Sequence, residues 1–166
     1  MNIEILQADY DNPKQGDDLI FLLNAYAEDP MGGGEGLSPE VCEQLLPALA
    51  ALPHAVSVLA YVDGKPAGLA NCFESFSTFA CRKLLNIHDL AVLKAYRGQG
   101  VSQALLAALE ALATDRACAK LTLEVQDGNH VAKRAYQRFG FSPSTVSPTS
   151  GAAQFWEKSL GRGRVP

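Results

Sequence analysis

The sequence predicts a single α/β domain built around a strand, a glycine turn and a helix in immediate succession. Three observations carry this. An apolar run at residues 84–92 leads through Arg97-Gly98-Gln99-Gly100-Val101-Ser102 into a helical run at 103–116. Short apolar runs of strand character alternate with segments of helical period along the rest of the chain. The chain has 166 residues at 48% apolar composition, with no internal repeat and no low-complexity linker, which suffices for one hydrophobic core.

In chain order, residues 2–8 alternate Ile3 and Ile5 with polar neighbours and read as a first strand. Residues 9–15 are rich in turn formers. Asp17 or Asp18 is placed to cap a helix over 19–27, with Leu19, Leu22, Leu23 and Tyr26 on one face. Residues 30–36 form a flexible glycine-rich loop. Ser38-Pro39-Glu40-Val41 is a helix start, serine as cap and proline at the first helical position. That helix extends to Leu52, with Pro47 kinking or splitting it and Pro53 ending it.

Residues 56–62 and 65–76 read as a hairpin around the tight-turn dipeptide Asp63-Gly64. In the helix at 103–116, Leu105, Ala108, Leu109 and Leu112 form one stripe, widened by Leu106 and Ala113, so this helix is heavily buried. Residues 121–125 are a short strand. Asp127-Gly128-Asn129 is a turn, and 131–139 a helix ending at Gly140. Residues 141–146 and 153–160 read as a closing pair of strands, and 162–166 as a frayed tail.

The net charge of −4 hides a split. Residues 1–64 hold eleven acids and one base, Lys14, a balance of −10, whereas residues 65–166 hold thirteen bases and seven acids, a balance of +6. The two halves therefore suit ligands of opposite sign. No basic stripe with interleaved aromatics is present, so a nucleic-acid partner is not expected. No apolar run reaches the roughly 18 residues of a membrane span, and the N-terminus carries no secretory pattern, so a cytoplasmic location with no membrane partner is expected. Cys42, Cys72, Cys81 and Cys118 form no Cys-x-x-Cys pair and read as free thiols, mostly buried; no metal site is expected.

A strand entering a helix through glycines makes a pocket for negative charge. The first helical N–H groups lack internal partners, and the helix dipole adds positive potential there. Gly98 and Gly100 remove the Cβ atoms that would keep a phosphate from those donors. Neither common nucleotide fingerprint fits: no Gly-Lys-Ser/Thr closes the turn, and position 103 is Gln where a dinucleotide fold has glycine.

A second signature lies downstream, Asn129-His130-Val131-Ala132-Lys133-Arg134-Ala135-Tyr136-Gln137-Arg138-Phe139-Gly140-Phe141. Together the two resemble the acetyl-CoA core of the GNAT acetyltransferase superfamily, with its Gln/Arg-x-x-Gly-x-Gly/Ala turn and downstream Asn-x-x-Ala-x-x-x-Tyr-x-x-x-Gly-Phe. Ser102 departs from the usual glycine or alanine but is small.

The resemblance implies one domain over 1–166. Its sheet would be mixed, mostly antiparallel, flanked by helices and splayed near the acetyl-CoA site. The cofactor core would span about 84–143, with the acceptor side at 16–53 and 141–160. It further implies that the backbone of Leu90, Ala91 and Val92 pairs with the pantetheine arm, Val92 N–H facing the developing oxyanion. Arg97, Gly98, Gln99, Gly100, Val101, Ser102 and Gln103 would wrap the pyrophosphate. Asn129 and Ala132 would sit by the pantetheine, with Asn129 equally suited to capping its helix. Tyr136 matches the general acid, a core packing role being the alternative.

The general base is open among His88, on the strand beside the thioester, and Glu124, on the adjacent strand. Period-two alternation places His88 with Leu90 and Val92, and Asp89 on the other face. The acidic early half, with Glu28, Asp29, Glu35 and Glu74 as contributors, would draw a small cationic amine. A protein N-terminal or lysine acetyltransferase is one alternative, a non-catalytic acyl-CoA sensor another. A homodimer fits the resemblance.

Overall fold

The structure is a computed structural model that describes residues 1–144, 149 and 151–161. Among these, five strands form one sheet in simple chain order. Strand β1 (Ile3–Gln7) pairs with β2 (Ala55–Val62), β2 with β3 (Lys65–Ser77), and β3 with β4 (Arg82–Val92), all antiparallel. The short β5 (Leu121–Leu123) runs parallel to β4. Four α-helices accompany them: α1 (Pro13–Glu28), α2 (Pro39–Ala50), α3 (Val101–Asp115) and α4 (His130–Phe139). The sheet is mixed and mostly antiparallel, as expected.

Two apolar clusters lie on opposite sides of the sheet. On one, Val101, Leu105, Leu106, Leu109 and Ala113 of α3 pack on Val56, Val58, Ala70, Leu85 and Ile87. Each fully buried leucine contributes roughly 2 kcal/mol of transfer free energy. On the other, Leu19 and Leu22 of α1 pack on Leu59, Tyr61 and Leu69. Both sets follow the predicted stripes.

Helix α1 starts six residues before the expected Leu19, at Pro13. Asn12 caps it by accepting from Gln15 N–H, and Pro13 supplies the fixed φ of the first helical turn. Asp17 and Asp18 are therefore interior residues, not caps. Helix α2 runs through Pro47 unbroken. Cys72 is buried, but Cys42 and Cys118 are half-buried and Cys81 is exposed, so the thiols are less buried than expected.

Two expectations for strands are corrected. Residues 141–144 and 151–160 carry no strand, and Phe155, Trp156 and Leu160 are exposed; Thr145 and Val146, and the expected tail at 162–166, lie outside the described residues. Alternation selects a face, but a strand also needs an edge to pair with. The second correction lies in β4. Asn71 faces Asp89 and Cys72 faces Ile87, so His88 is an extra residue in a bulge. Ile87, Leu90 and Val92 all lie in the α3-side cluster, whereas His88 packs its ring on Phe73 and Asp89 accepts from Asn71. The bulge separates His88 from Leu90 and Val92, contrary to simple alternation.

Candidate active site

The sheet opens beside the second half of β4. Pairing with β5 covers only Leu85, Asn86 and Ile87, so among the described residues no strand covers that edge from His88 to Val92. On the other edge, Leu90, Ala91 and Val92 remain paired with Ala70, Leu69 and Gly68. This is the expected splay. Leu93 N–H donates to Ala67 on β3, and backbone groups alternate between edges, so Val92 presents its N–H and C=O to the open edge. The Val92 carbonyl accepts from Arg97 Nε at 3.0 Å, consistent with that direction. By the same alternation Leu90 also faces the opening, while Ala91 faces β3.

The helix mouth stands next to this edge. Gly100 caps α3 at φ 88°, with no side-chain cap bond, and Gly98 has φ 76°. A Cβ on either would meet nothing within 4 Å. Glycine is therefore required by backbone conformation, and the space outside it is open to a ligand. The first intrahelical bond runs from Ala104 N–H to the Gly100 carbonyl, leaving Val101, Ser102 and Gln103 N–H groups without intrahelical acceptors. Side chains brace the turn: Gln99 donates to the Ala95 carbonyl at 2.9 Å, and Gln103 donates to the Ala135 carbonyl of α4 at 3.1 Å. Val101 is buried, and Ser102 is half-buried.

Arg97 links this mouth to the early loop. Its Nη2 lies 2.9 Å from Asp29 Oδ2, at the junction between α1 and a 3₁₀ turn over Pro30–Gly32. Met31 N–H and then Arg97 hold the Asp29 carboxyl below its ordinary range. Asn129 caps α4 by accepting from Ala132 N–H at 3.1 Å, so both expected residues meet at one helix end.

Tyr136 packs its ring edgewise on Phe141, 5.9 Å between centroids. Burial, with a smaller contribution from Tyr26, pushes its phenol up to about 12. Tyr26 on α1 is itself raised by burial and then by the charges of Asp89 and Asp29. Asp89 lies on the stretch of β4 that β5 leaves uncovered, and Tyr136 packs on the same apolar cluster as Leu90 and Val92. Glu124 lies just past the end of β5 and is exposed. Glu74 binds Arg116 and Lys83 near the C-terminus of α3, about a helix length of roughly 20 Å from Gly100, so it takes no part in the mouth.

Sequence reasoning missed Asn71 and read Tyr26 only as part of the packed face of its helix. Asn71 interrupts the apolar run Leu69-Ala70-Asn71-Cys72, and Ser57 interrupts Val56-Ser57-Val58. A polar residue in the centre of a buried strand was the available signal. Among the described residues, no group of three or more His, Cys, Asp or Glu could hold a metal ion, and no helix is long and apolar enough to cross a membrane.

Several solved structures share this architecture. An aminoglycoside acetyltransferase from an uncultured soil metagenomic sample, in complex with sisomicin, superposes at a TM-score of 0.77 with 16% identity, covering 95% of this chain and 97% of that one. AAC(6')-Iy, in complex with a CoA-S-monomethyl-acetylneamine bisubstrate analog, gives 0.76 at 17% identity, covering 96% and 100%. A ribosomal-protein-alanine N-acetyltransferase from Brucella melitensis biovar Abortus 2308 gives 0.65 at 19%, covering 97% and 99%. At these identities the likeness is one of fold. No protein of curated function matches the chain in sequence. The model of the acetyltransferase (GNAT) family matches residues 20–141, most of the chain and all of the strand, glycine turn and helix that frame the opening; the protein belongs to that family.

Proposed function

We propose that the protein moves the acetyl group of acetyl-CoA to the primary amine of a small cationic substrate, by direct attack in a ternary complex. The observation that carries this reading is the meeting of the free edge at Leu90 and Val92, the Gly100-capped mouth of α3, and the half-buried Tyr136 packed on the same cluster as Leu90 and Val92. In this reading residues 84–143 bind the cosubstrate, and residues 16–53 and 141–160 form the acceptor side.

Open space outside Gly98 and Gly100, together with the α3 N–H groups, fits a pyrophosphate. Arg97, Gly98, Gln99, Gly100, Val101, Ser102 and Gln103 would surround it, Gln103 through its backbone, since its amide side chain holds α4. Leu90 and Val92 would pair with the pantetheine amides, Ala91 keeping that edge in register with β3. Val92 N–H would face the developing oxyanion. Asn129 and Ala132 shape the wall at the start of α4.

The substrate amine, with a pKa of about 10, arrives as an ammonium ion. It gives one proton to a group near the opening. His88 and Asp89 on the β4 bulge are candidates, and Glu124 beyond β5 is the third. The free nitrogen then bonds to the acetyl carbon as the carbon–sulfur bond breaks. Tyr136, neutral up to about pH 12, donates a hydrogen bond to the departing sulfur. Full transfer from so weak an acid is uphill, so a second proton from nitrogen must restore the phenol as its own proton leaves. The products are an amide, a thiol and one proton released to solvent.

The −10 balance of residues 1–64, with Glu28, Asp29 and Glu35 near the glycine-rich loop, supports a cationic acceptor. The fold likeness to an aminoglycoside acetyltransferase solved with sisomicin agrees with it. A second reading, transfer to a protein N-terminus or lysine, rests on the likeness to the ribosomal-protein-alanine N-acetyltransferase. Calorimetry with acetyl-CoA, followed by thiol release with cationic, neutral and anionic amines and with peptides, separates them. Turnover confined to peptides selects the second reading. Binding without turnover on any acceptor means a sensor and overturns both.

A further inference from the structure

Behind the β4 bulge lies a hydrogen-bonded chain that the proposed chemistry has not used. Tyr10 Oη lies 2.9 Å from Ser57 Oγ. Ser57 Oγ donates to Asn71 Oδ1 at 2.6 Å, and Asn71 Nδ2 donates to Asp89 Oδ2 at 3.0 Å. Ser57 and Asn71 are the buried polar residues among those described, 1% and 4% exposed. They sit side by side in the register of β2 and β3, in the midst of apolar neighbours.

The chain has one direction. A serine hydroxyl carries a single proton, and Ser57 gives it to Asn71, so Tyr10 must donate to Ser57. An ionised carboxylate only accepts, so the Asn71 amide must turn its nitrogen to Asp89 and its oxygen to Ser57. Every proton in the chain points toward the Asp89 carboxylate. Such a carboxylate is fixed in orientation, with its other oxygen, Oδ1, left for a further donor. Beside it stand His88 in the bulge and Tyr26 on α1, whose phenol is raised by burial first and then by the Asp89 charge, while Cys72, next to Asn71 on β3, packs on the α3 side of the sheet.

We propose that Asn71 is a positioning residue: backed by Ser57 and Tyr10, it aims Asp89 at the opening, and Asp89 rather than His88 or Glu124 takes the proton from the substrate ammonium. His88 packs its ring against Phe73, whose other aromatic neighbour is His54, and among the described residues it takes no part in the directed chain. Glu124 is exposed past the strand end. In the step itself an N–H bond of the ammonium breaks and an O–H bond forms on Asp89; the nitrogen keeps its electron pair for attack on the acetyl carbon. Solvent later takes the proton from Asp89. This assignment rests on the acetyl-transfer reading given above.

A double-mutant cycle tests it with acetyl-CoA and whichever amine the wild type turns over. Asp89→Asn should lower kcat about 100-fold or more, and Asn71→Ala about 10-fold, with the acetyl-CoA Kd unchanged within threefold in both. The double variant Asn71→Ala/Asp89→Asn should be no slower than Asp89→Asn alone, because Asn71 acts through Asp89. Ser57→Ala, which leaves the Asn71–Asp89 bond in place, should cost less than Asn71→Ala and keeps the test alive if the latter misfolds. His88→Gln and Glu124→Gln should each lower kcat by clearly less than Asp89→Asn does. Fully additive losses in the cycle, a parallel loss of acetyl-CoA affinity, or a 100-fold loss on His88→Gln would overturn the proposal while leaving acetyl transfer intact. A wild type silent on every amine would instead remove the acetyl-transfer reading, and this assignment with it.

Discussion

Replacing Gly100 by glutamate separates the two jobs of that residue. The first is conformational. Gly100 has φ 88°, where a side chain costs about 1–2 kcal/mol. Nothing lies within 4 Å of the added Cβ, so no clash is added to that cost. In a domain of this size the loss lowers Tm by about 2–8 °C. The second job is electrostatic. A carboxylate about 4 Å from one phosphate charge, at an effective dielectric of about 20, repels it by roughly 4 kcal/mol. Acetyl-CoA affinity should then fall by about 10³-fold.

Gly64 provides the control. It has φ 76° in the β2–β3 turn and equally open space at its Cβ. Gly64→Glu should therefore show the same thermal loss with unchanged affinity. Titration calorimetry with acetyl-CoA reads the affinity and differential scanning the stability. Repeating the titration at high salt should shrink the Gly100→Glu penalty. If Gly100→Glu binds acetyl-CoA within threefold of wild type, or if Gly64→Glu weakens it equally, the phosphate does not sit at the mouth of α3.

Other perturbations follow from the same geometry. Tyr136→Phe should lower kcat by roughly 10²-fold, the cost of one well-placed donor, while acetyl-CoA Kd stays within about threefold; unchanged turnover would exclude the phenol from the chemistry. The Tyr136 phenol is raised from 10 to about 12, so its contribution to stability is full below pH 10 and is lost as pH climbs toward 12. The drop in Tm between pH 9 and pH 11.5 should therefore be smaller in Tyr136→Phe than in wild type, and an equal drop would show that burial does not hold the phenol neutral. Arg97→Ala should weaken acetyl-CoA binding about tenfold or more, as expected for loss of a charge-assisted contact. Asp29→Asn breaks the 2.9 Å pair and frees Arg97 for phosphate, so it should tighten binding in calorimetry; weaker binding would mean that the pair holds Arg97 in its working position.

Much of the site was legible because its signals are local. Gly98 and Gly100 adopt the positive φ that their turn demands, and Asn129 caps its helix as its place before an apolar stripe requires. The spacing of Leu105, Leu106 and Leu109 announced a buried helix, and all three are fully buried. What failed depended on partners. Asn12-Pro13 outcompeted Asp17 as a helix start because a cap and a fixed φ act together there. That the Gln103 side chain goes to the Ala135 carbonyl, across the gap between α3 and α4, was likewise not legible, which leaves its backbone N–H for the proposed pyrophosphate.

By itself, then, the sequence determined the order of the elements, the faces of α1 and α3 that enter the core, and the glycine turn with its helix mouth. These follow from periodicity and backbone sterics within a few residues. Only the tertiary structure decided that β5 leaves β4 after Ile87, that Arg97 reaches back to Asp29, and that His88 and Asp89 stand apart from Leu90 and Val92. Each of these depends on a residue distant in the chain. The bulge exists only in the register between β3 and β4, and one extra residue there turns every later side chain to the opposite face.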